Sequence, residues 1–343
     1  MKILPAAAGL VLPLVLIASP GAVGVPQVDP KPLKIFVLAG QSNMEGQGVV
    51  DLDHPEHYNG GRGTLEAVLR DPSVAARYAH VKDADGRWSI RDDVWVRFRT
   101  ANGVKKGPLT IGFTGYPGAH HIGPEFQFGH VVGDAIDGPV LLIKTAWGGK
   151  SLHEDFRPPS SGGTTGPYYE RMLAEIDEAL ANAADDFPAY DGSGWEFAGF
   201  VWFQGWNDMV DEPARAEYEE NLVNLILDVR SALSVPDLPV VIGELGNGGP
   251  DASEPMLEIR RAQAAAAASP RVGDAVAFVE TSSFARPAAD SPNTGHGHHW
   301  FGNAESYFLI GDALARMMLE LLELLDARAV PDRVTAPPSP SPS

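Results

Sequence analysis

The chain has 343 residues, 44% of them hydrophobic, with 26 basic against 45 acidic side chains and no cysteine. Its size and apolar content allow a full buried core in one large domain, and no internal repeat or long linker divides it. A formal charge of −19 makes nucleic acid and anionic membranes poor partners, and the missing thiols exclude a disulfide framework, Cys-based zinc sites and a cysteine nucleophile.

Lys2, the apolar stretch from Ile3 to Ala18 and the small residues around Gly21 to Gly24 read as a secretory signal peptide over 1–24. Pro5 and Pro13 interrupt this stretch, which is shorter than the ~20 residues of a membrane span. A secreted or periplasmic protein with no stable membrane anchor is therefore expected. Loss of Lys2 with that segment leaves 25 basic against 45 acidic residues, a charge of −20. The β-branched and aromatic run over 34–39 reads as a buried strand, and Gly40-Gln41-Ser42-Asn43 follows it directly. A serine on that turn lies where open parallel sheets bind their ligands, although the closing glycine of a Gly-x-Ser-x-Gly elbow is absent.

Residues 50–123 break the rhythm of the chain. Short strands are expected at 88–90, 94–98 and 109–111, forming a β-rich insertion over one end of the sheet that shapes the binding site. Beyond it, helix-like stretches at 124–136, 167–185, 212–234, 254–269 and 303–325 alternate with strand-like runs at 140–145, 197–203, 239–243 and 275–280. This alternation predicts a three-layer α/β/α fold with a flavodoxin-like parallel sheet of about five strands, in a domain spanning 32–328. The Pro/Ser-rich segment 329–343 reads as a disordered tail.

Three further fragments sit at strand ends or helix mouths. They are Ala146-Trp147-Gly148-Gly149-Lys150-Ser151, Trp202-Phe203-Gln204-Gly205-Trp206-Asn207-Asp208 and Gly297-His298-His299-Trp300. With Gly40-Gln41-Ser42-Asn43 they resemble the four blocks of the SGNH hydrolases, and more closely the carbohydrate-esterase branch that includes sialate O-acetylesterases and acetylxylan esterases. The similarity covers roughly residues 34–320. It implies hydrolysis of acyl esters without a metal or other cofactor, most often of acetyl groups on an acylated carbohydrate.

The resemblance makes Ser42 the nucleophile and His299 its base, with His298 as the rival. A serine hydroxyl needs such a base because it attacks only as its proton is removed. An Asp three residues before the His is common in such enzymes, but His296 stands there. Either Glu280, Asp290 or Asp208 supplies the acid, or a Ser–His dyad operates with a backbone carbonyl holding the ring. The expected oxyanion donors are the backbone N–H groups of Ser42 and Gly149 and one side-chain amide. Gln204 fits the Gln-Gly pattern of the carbohydrate esterases and is slightly favoured; Asn207 fits the Gly-x-Asn-Asp spacing. Trp147, Trp206 and Trp300 flank the motifs and offer flat faces to a sugar, while Lys150 and Arg157 offer charge to an acidic one. Two other readings compete. Imidazoles from 296–299 and His120-His121 would make a metallohydrolase, and the same fold without its acid would make a carbohydrate-binding protein.

Overall fold

The computed structural model describes residues 31–187 and 190–329. The 1–24 segment and the tail beyond Ala329 lie outside these residues. Nine strands are described: β1 Leu33–Gly40, β2 Gly48–Val49, β3 Arg91–Thr100, β4 Gly103–Leu109, β5 His121–Ile122, β6 Val140–Ala146, β7 Trp195–Phe203, β8 Val240–Gly243 and β9 Val276–Val279. The α-helices are α1 Ser42–Glu45, α2 Leu65–Leu69, α3 Ala75–Tyr78, α4 Pro124–Ala135, α5 Pro167–Ala181, α6 Ala183–Asp186, α7 Trp206–Met209, α8 Glu212–Ala232, α9 Glu254–Ala267 and α10 Ala304–Ala329. Among the described residues, no helix is long and apolar enough to cross a membrane.

Seven strands form the central sheet in the order β4-β3-β6-β1-β7-β8-β9, all parallel except β4. Numbered in chain order, the five strands read from the sequence follow the 2-1-3-4-5 order of a flavodoxin-like sheet. The continuous apolar runs arise because both faces are covered. Ile35, Val37 and Ala39 of β1 point into a core shared with α5, α8 and α9, whereas Phe36 and Leu38 point into one shared with α4 and α10.

The sheet is wider than the five strands expected, because the insertion contributes to it. β3 pairs parallel with β6 and β4 closes that edge antiparallel, so 94–98 belongs to the main sheet and not to a separate excursion. The expected strands at 88–90 and 109–111 shrink to a single bridge between Lys82 and Trp88 and to the last residue of β4. Gly48–Val49 and His121–Ile122 form a separate two-stranded ribbon that ties the return of the insertion to the segment after α1.

One buried ion pair anchors this region. Lys144 of β6 and Glu125 in the first turn of α4 have 0% side-chain exposure and meet at 2.7 Å; the ammonium also donates to the carbonyls of Glu45 (2.8 Å) and Phe113 (2.7 Å). Burial pulls the Lys144 pKa down, and the Glu125 carboxylate opposes that pull. Lys144→Met leaves a buried carboxylate and two carbonyls without their donor. It is expected to destabilise the fold by about 3–5 kcal/mol in urea unfolding, with much of the loss recovered in Lys144→Met/Glu125→Leu.

Candidate active site

The carboxyl ends of the three neighbouring strands β6, β1 and β7 are level, Gly40 pairing with both Ala146 and Phe203. Backbone bonds continue this alignment beyond the sheet, from Trp147 N–H to Gly40 O (3.2 Å) and from Gln41 N–H to Phe203 O (3.4 Å). Gly40 is required by close approach, because a Cβ there would lie 2.2 Å from the Phe203 carbonyl oxygen. The chain then turns into α1 and places Ser42, 8% exposed, at its first residue.

A net of amides holds three of the motifs together. Gln41 Oε1 accepts from the Gly205 N–H (3.2 Å) and the Asn207 N–H (3.3 Å), and Gln41 Nε2 donates to Asn207 Oδ1 (3.1 Å). Asn207 Nδ2 donates to Gly149 O at 3.0 Å. The Ser42 and Gly149 N–H groups form no hydrogen bond to other described residues. Gly149 has φ +71° with open space around it, a left-handed conformation that only glycine adopts at low cost.

The two candidate amides differ in what remains free. Gln204 is 3% exposed, and both its amide protons are taken, by Lys150 O (3.0 Å) and Asp208 Oδ2 (2.6 Å); its Oε1 accepts from the Tyr218 hydroxyl (3.0 Å). Asn207 is partly exposed and keeps one Nδ2 proton unbonded. In this structure the Gln204 amide braces the second motif, and Asn207 keeps an unbonded donor. Asp208 also serves as a brace. Its carboxylate accepts from the N–H groups of Leu152 and His153 (2.8 Å each), and burial raises its pKa to about 6 against the pull of these donors.

The histidine loop hangs on the residue after the nucleophile. Asn43 Nδ2 donates to His298 O (3.1 Å), and the Tyr307 hydroxyl of α10 bonds both Asn43 Oδ1 (2.7 Å) and His299 O (3.3 Å). Asn247, beyond β8, donates to the carbonyls of Gly297 and His298 at 3.1 Å. Trp300 and Phe301 take φ values of +50° and +54°, two consecutive left-handed non-glycine residues that turn the chain sharply after His299. The His298 and His299 rings lie 4.0 Å apart. Burial, reinforced by His298 and His296, lowers the His299 pKa to about 4; burial and His296 lower that of His298.

None of the three expected acids is bonded to either histidine. Asp208 is held in the brace, Glu280 is exposed at the end of β9, and Asp290 is exposed and offers its backbone carbonyl to Asn303. Nor does a backbone carbonyl among the described residues hold the His299 ring. Of the tryptophans, Trp206 has its ring 5.8 Å from that of His298. Trp147 (7% exposed) packs against Phe156 and Tyr168, and Trp300 (3% exposed) lies in the core shared with α10, so neither presents an open face to a sugar.

The metal reading finds no assembled ligand set around the tract. Among the described residues, the one group of three ligand-type side chains gathered closely enough for a metal is His54, Glu56 and His57 on an exposed turn, and His120 instead bonds Asp51. Sequence reasoning passed over Asn43, Asn247 and Tyr307, which carry the histidine loop, and Glu45, which lies three residues after Ser42 in one helix. The helical spacing from Ser42 was the available signal for Glu45.

Comparison with known proteins places this arrangement in a family. A probable carbohydrate esterase of Arabidopsis thaliana is 28% identical over 223 residues, which is 64% of this chain and 71% of that protein. The solved structure of that plant protein superposes with a TM-score of 0.52 at 18% identity, covering 84% of this chain and 99% of the other. A carbohydrate acetylesterase of Xanthomonas citri gives 0.51 at 15% identity over 84% of this chain and 56% of its own, and NanS gives 0.53 at 16% over 87% and 100%. The family model described as carbohydrate esterase, sialic acid-specific acetylesterase matches residues 32–320. With nearly the whole described chain matched, the protein belongs to this family of carbohydrate esterases, and so to the carboxylic ester hydrolases.

Proposed function

We propose that this protein is an exported serine esterase that removes O-acetyl groups from a carbohydrate through an acyl-enzyme. The observation that carries the reading is the convergence of the Ser42 hydroxyl, two unbonded backbone N–H groups and the Asn207 amide at the level ends of β6, β1 and β7. Export rests on the Lys2-led apolar segment of the sequence.

In this mechanism Ser42 Oγ attacks the ester carbonyl carbon while its proton passes to the imidazole of His299. The carbonyl π-electrons move onto oxygen, where the N–H groups of Ser42 and Gly149 and the Asn207 amide stabilise the charge. As the intermediate collapses, the C–O bond to the sugar breaks and the imidazolium returns the proton to the departing alkoxide. Water then attacks the acetyl-serine with the same base, releasing acetate and restoring Ser42.

Hydrolysis of an aryl acetate in EDTA tests the reading beside Ser42→Ala, His299→Ala and His298→Ala. Activity that survives EDTA and disappears in Ser42→Ala and His299→Ala supports it; loss in His298→Ala alone moves the base one residue. A general base works only unprotonated, so a pKa held near 4 keeps His299 competent well below the usual histidine range. The acid limb of kcat/KM is therefore expected at about pH 4–5. A limb at pH 6.5 or above contradicts this environment and points to a carboxylate that approaches the ring in the working enzyme. The bare imidazole also favours the carbohydrate-binding alternative. Sugar binding with no turnover of any acetyl ester would establish that alternative.

A further inference from the structure

The esterase reading leaves open what kind of sugar carries the ester, and the charges around Ser42 bear on it. Glu45 lies three residues after Ser42 in α1, so the two side chains share a helical face. A Cβ placed on Gly148 would lie 3.7 Å from Ser42 Cβ and 3.1 Å from Glu45 Oε2, so nucleophile and carboxylate flank the same glycine. Across from Gly148, a Cβ on Gly115 would lie 3.2 Å from Glu45 Oε1, which brings the insertion up to the same group. Burial pushes the Glu45 carboxyl up, while the Lys144 ammonium and the Gly148 N–H pull it back. Lys144 gives its three hydrogen bonds to Glu45 O, Phe113 O and Glu125, and none to the Glu45 carboxylate.

Four cations of the neighbouring loops are bound to other groups. Lys150 bonds Asp155 (3.1 Å) and stands 4.3 Å above the Tyr168 ring. Arg157 gives four of its five N–H groups to the carbonyls of His153, Ser161 and Gly162 and the Glu217 carboxylate. Lys105 bonds the carbonyls of Gly112 and Tyr116. Arg286 lines a cleft of about 510 Å³ beside Trp300 and Phe301, where it bonds Glu305 at 2.7 Å. A carboxylated sugar entering this site meets a like charge beside the nucleophile and cations that already have partners.

We infer that the substrate is an acylated carbohydrate without a carboxylate of its own, and that Glu45 discriminates against acidic sugars while accepting hydrogen bonds from neutral hydroxyls. This rests on the esterase reading and departs from the sialic acid named in the family description.

The test compares acetate release at low ionic strength from a mono-O-acetylated methyl xyloside, an O-acetylated sialic acid and the carboxyl methyl ester of that sialic acid. An aryl acetate serves as the control for esterase activity. The xyloside is expected to exceed the sialic acid by about tenfold in kcat/KM, with the gap shrinking in 0.5 M salt as the repulsion is screened. Methylation of the carboxylate, which removes only its charge, is expected to restore most of the difference. Glu45→Gln should narrow the xyloside-to-sialate ratio, a comparison internal to one variant and so independent of the fraction folded. Preference for the free sialic acid overturns the inference, as does a methyl ester no better than the acid, or an active aryl acetate esterase that cleaves none of the three sugars. Inactivity on the aryl acetate itself would instead remove the esterase reading beneath it.

Discussion

Ser42→Ala is expected to lower kcat for acetyl-ester hydrolysis by on the order of 10⁶-fold, the loss seen when a serine nucleophile is removed from a working hydrolase. The scaffold should hardly notice. The turn around Ser42 is made by backbone bonds from Met44 and Glu45 to Gln41 O and from Gly46 to Ser42 O, all kept by alanine. The Asn43 and Gln41 side-chain bonds that carry the other motifs are also untouched. Initial rates at high enzyme concentration, beside the urea midpoint, separate the two effects. A variant retaining more than about a hundredth of the activity would show that another group attacks the ester.

The second large effect separates two amides that the sequence could not tell apart. Asn207→Ala is expected to cost about 10²–10³ in kcat with little change in KM, because in the proposed mechanism its free proton meets charge that exists only in the transition state. Gln204→Ala should act on stability instead. It takes a donor from Lys150 O and from Asp208, and the bare Lys150 carbonyl costs about 1–3 kcal/mol; Asp208 keeps the N–H groups of Leu152 and His153, and the Tyr218 hydroxyl keeps the Gln204 backbone carbonyl at 2.8 Å. Kinetics and urea unfolding of both variants, measured side by side, check the division. A catalytic loss in Gln204→Ala at unchanged stability, with Asn207→Ala near wild type, would return the oxyanion role to Gln204.

Much of the sheet was legible because its strands are buried on both faces and read as unbroken apolar runs. Residues 140–145 and 197–203 map onto β6 and β7 within two residues. β3 was read as part of an excursion because it lies within residues 50–123, which break the strand–helix alternation of the chain. In the structure Arg97 is buried, its charge met by Glu178 of α5 and Asp186 of α6. That compensation comes from residues some eighty positions away, where local pattern cannot reach.

At the site, the residue types and their places at strand ends could be read, but the division of labour could not. Gln204 and Asn207 both had a spacing in their favour; the choice turns on which amide Asp208 holds, a contact four residues along the chain. Tryptophans beside motifs read equally well as ligand or core, and burial assigns Trp147 and Trp300 to the core. The role of Asn43 depends on the approach of a loop 255 residues later, which the sequence does not encode locally.

The central claim is that Ser42 carries the acyl group. Rapid mixing with an aryl acetate, acid quenching and mass measurement of the intact and digested protein test it most directly. One added acetyl is expected, on the peptide containing Ser42, decaying at the rate of turnover and absent from Ser42→Ala. Steady hydrolysis with the acetyl on another residue, or undiminished in Ser42→Ala, would contradict it.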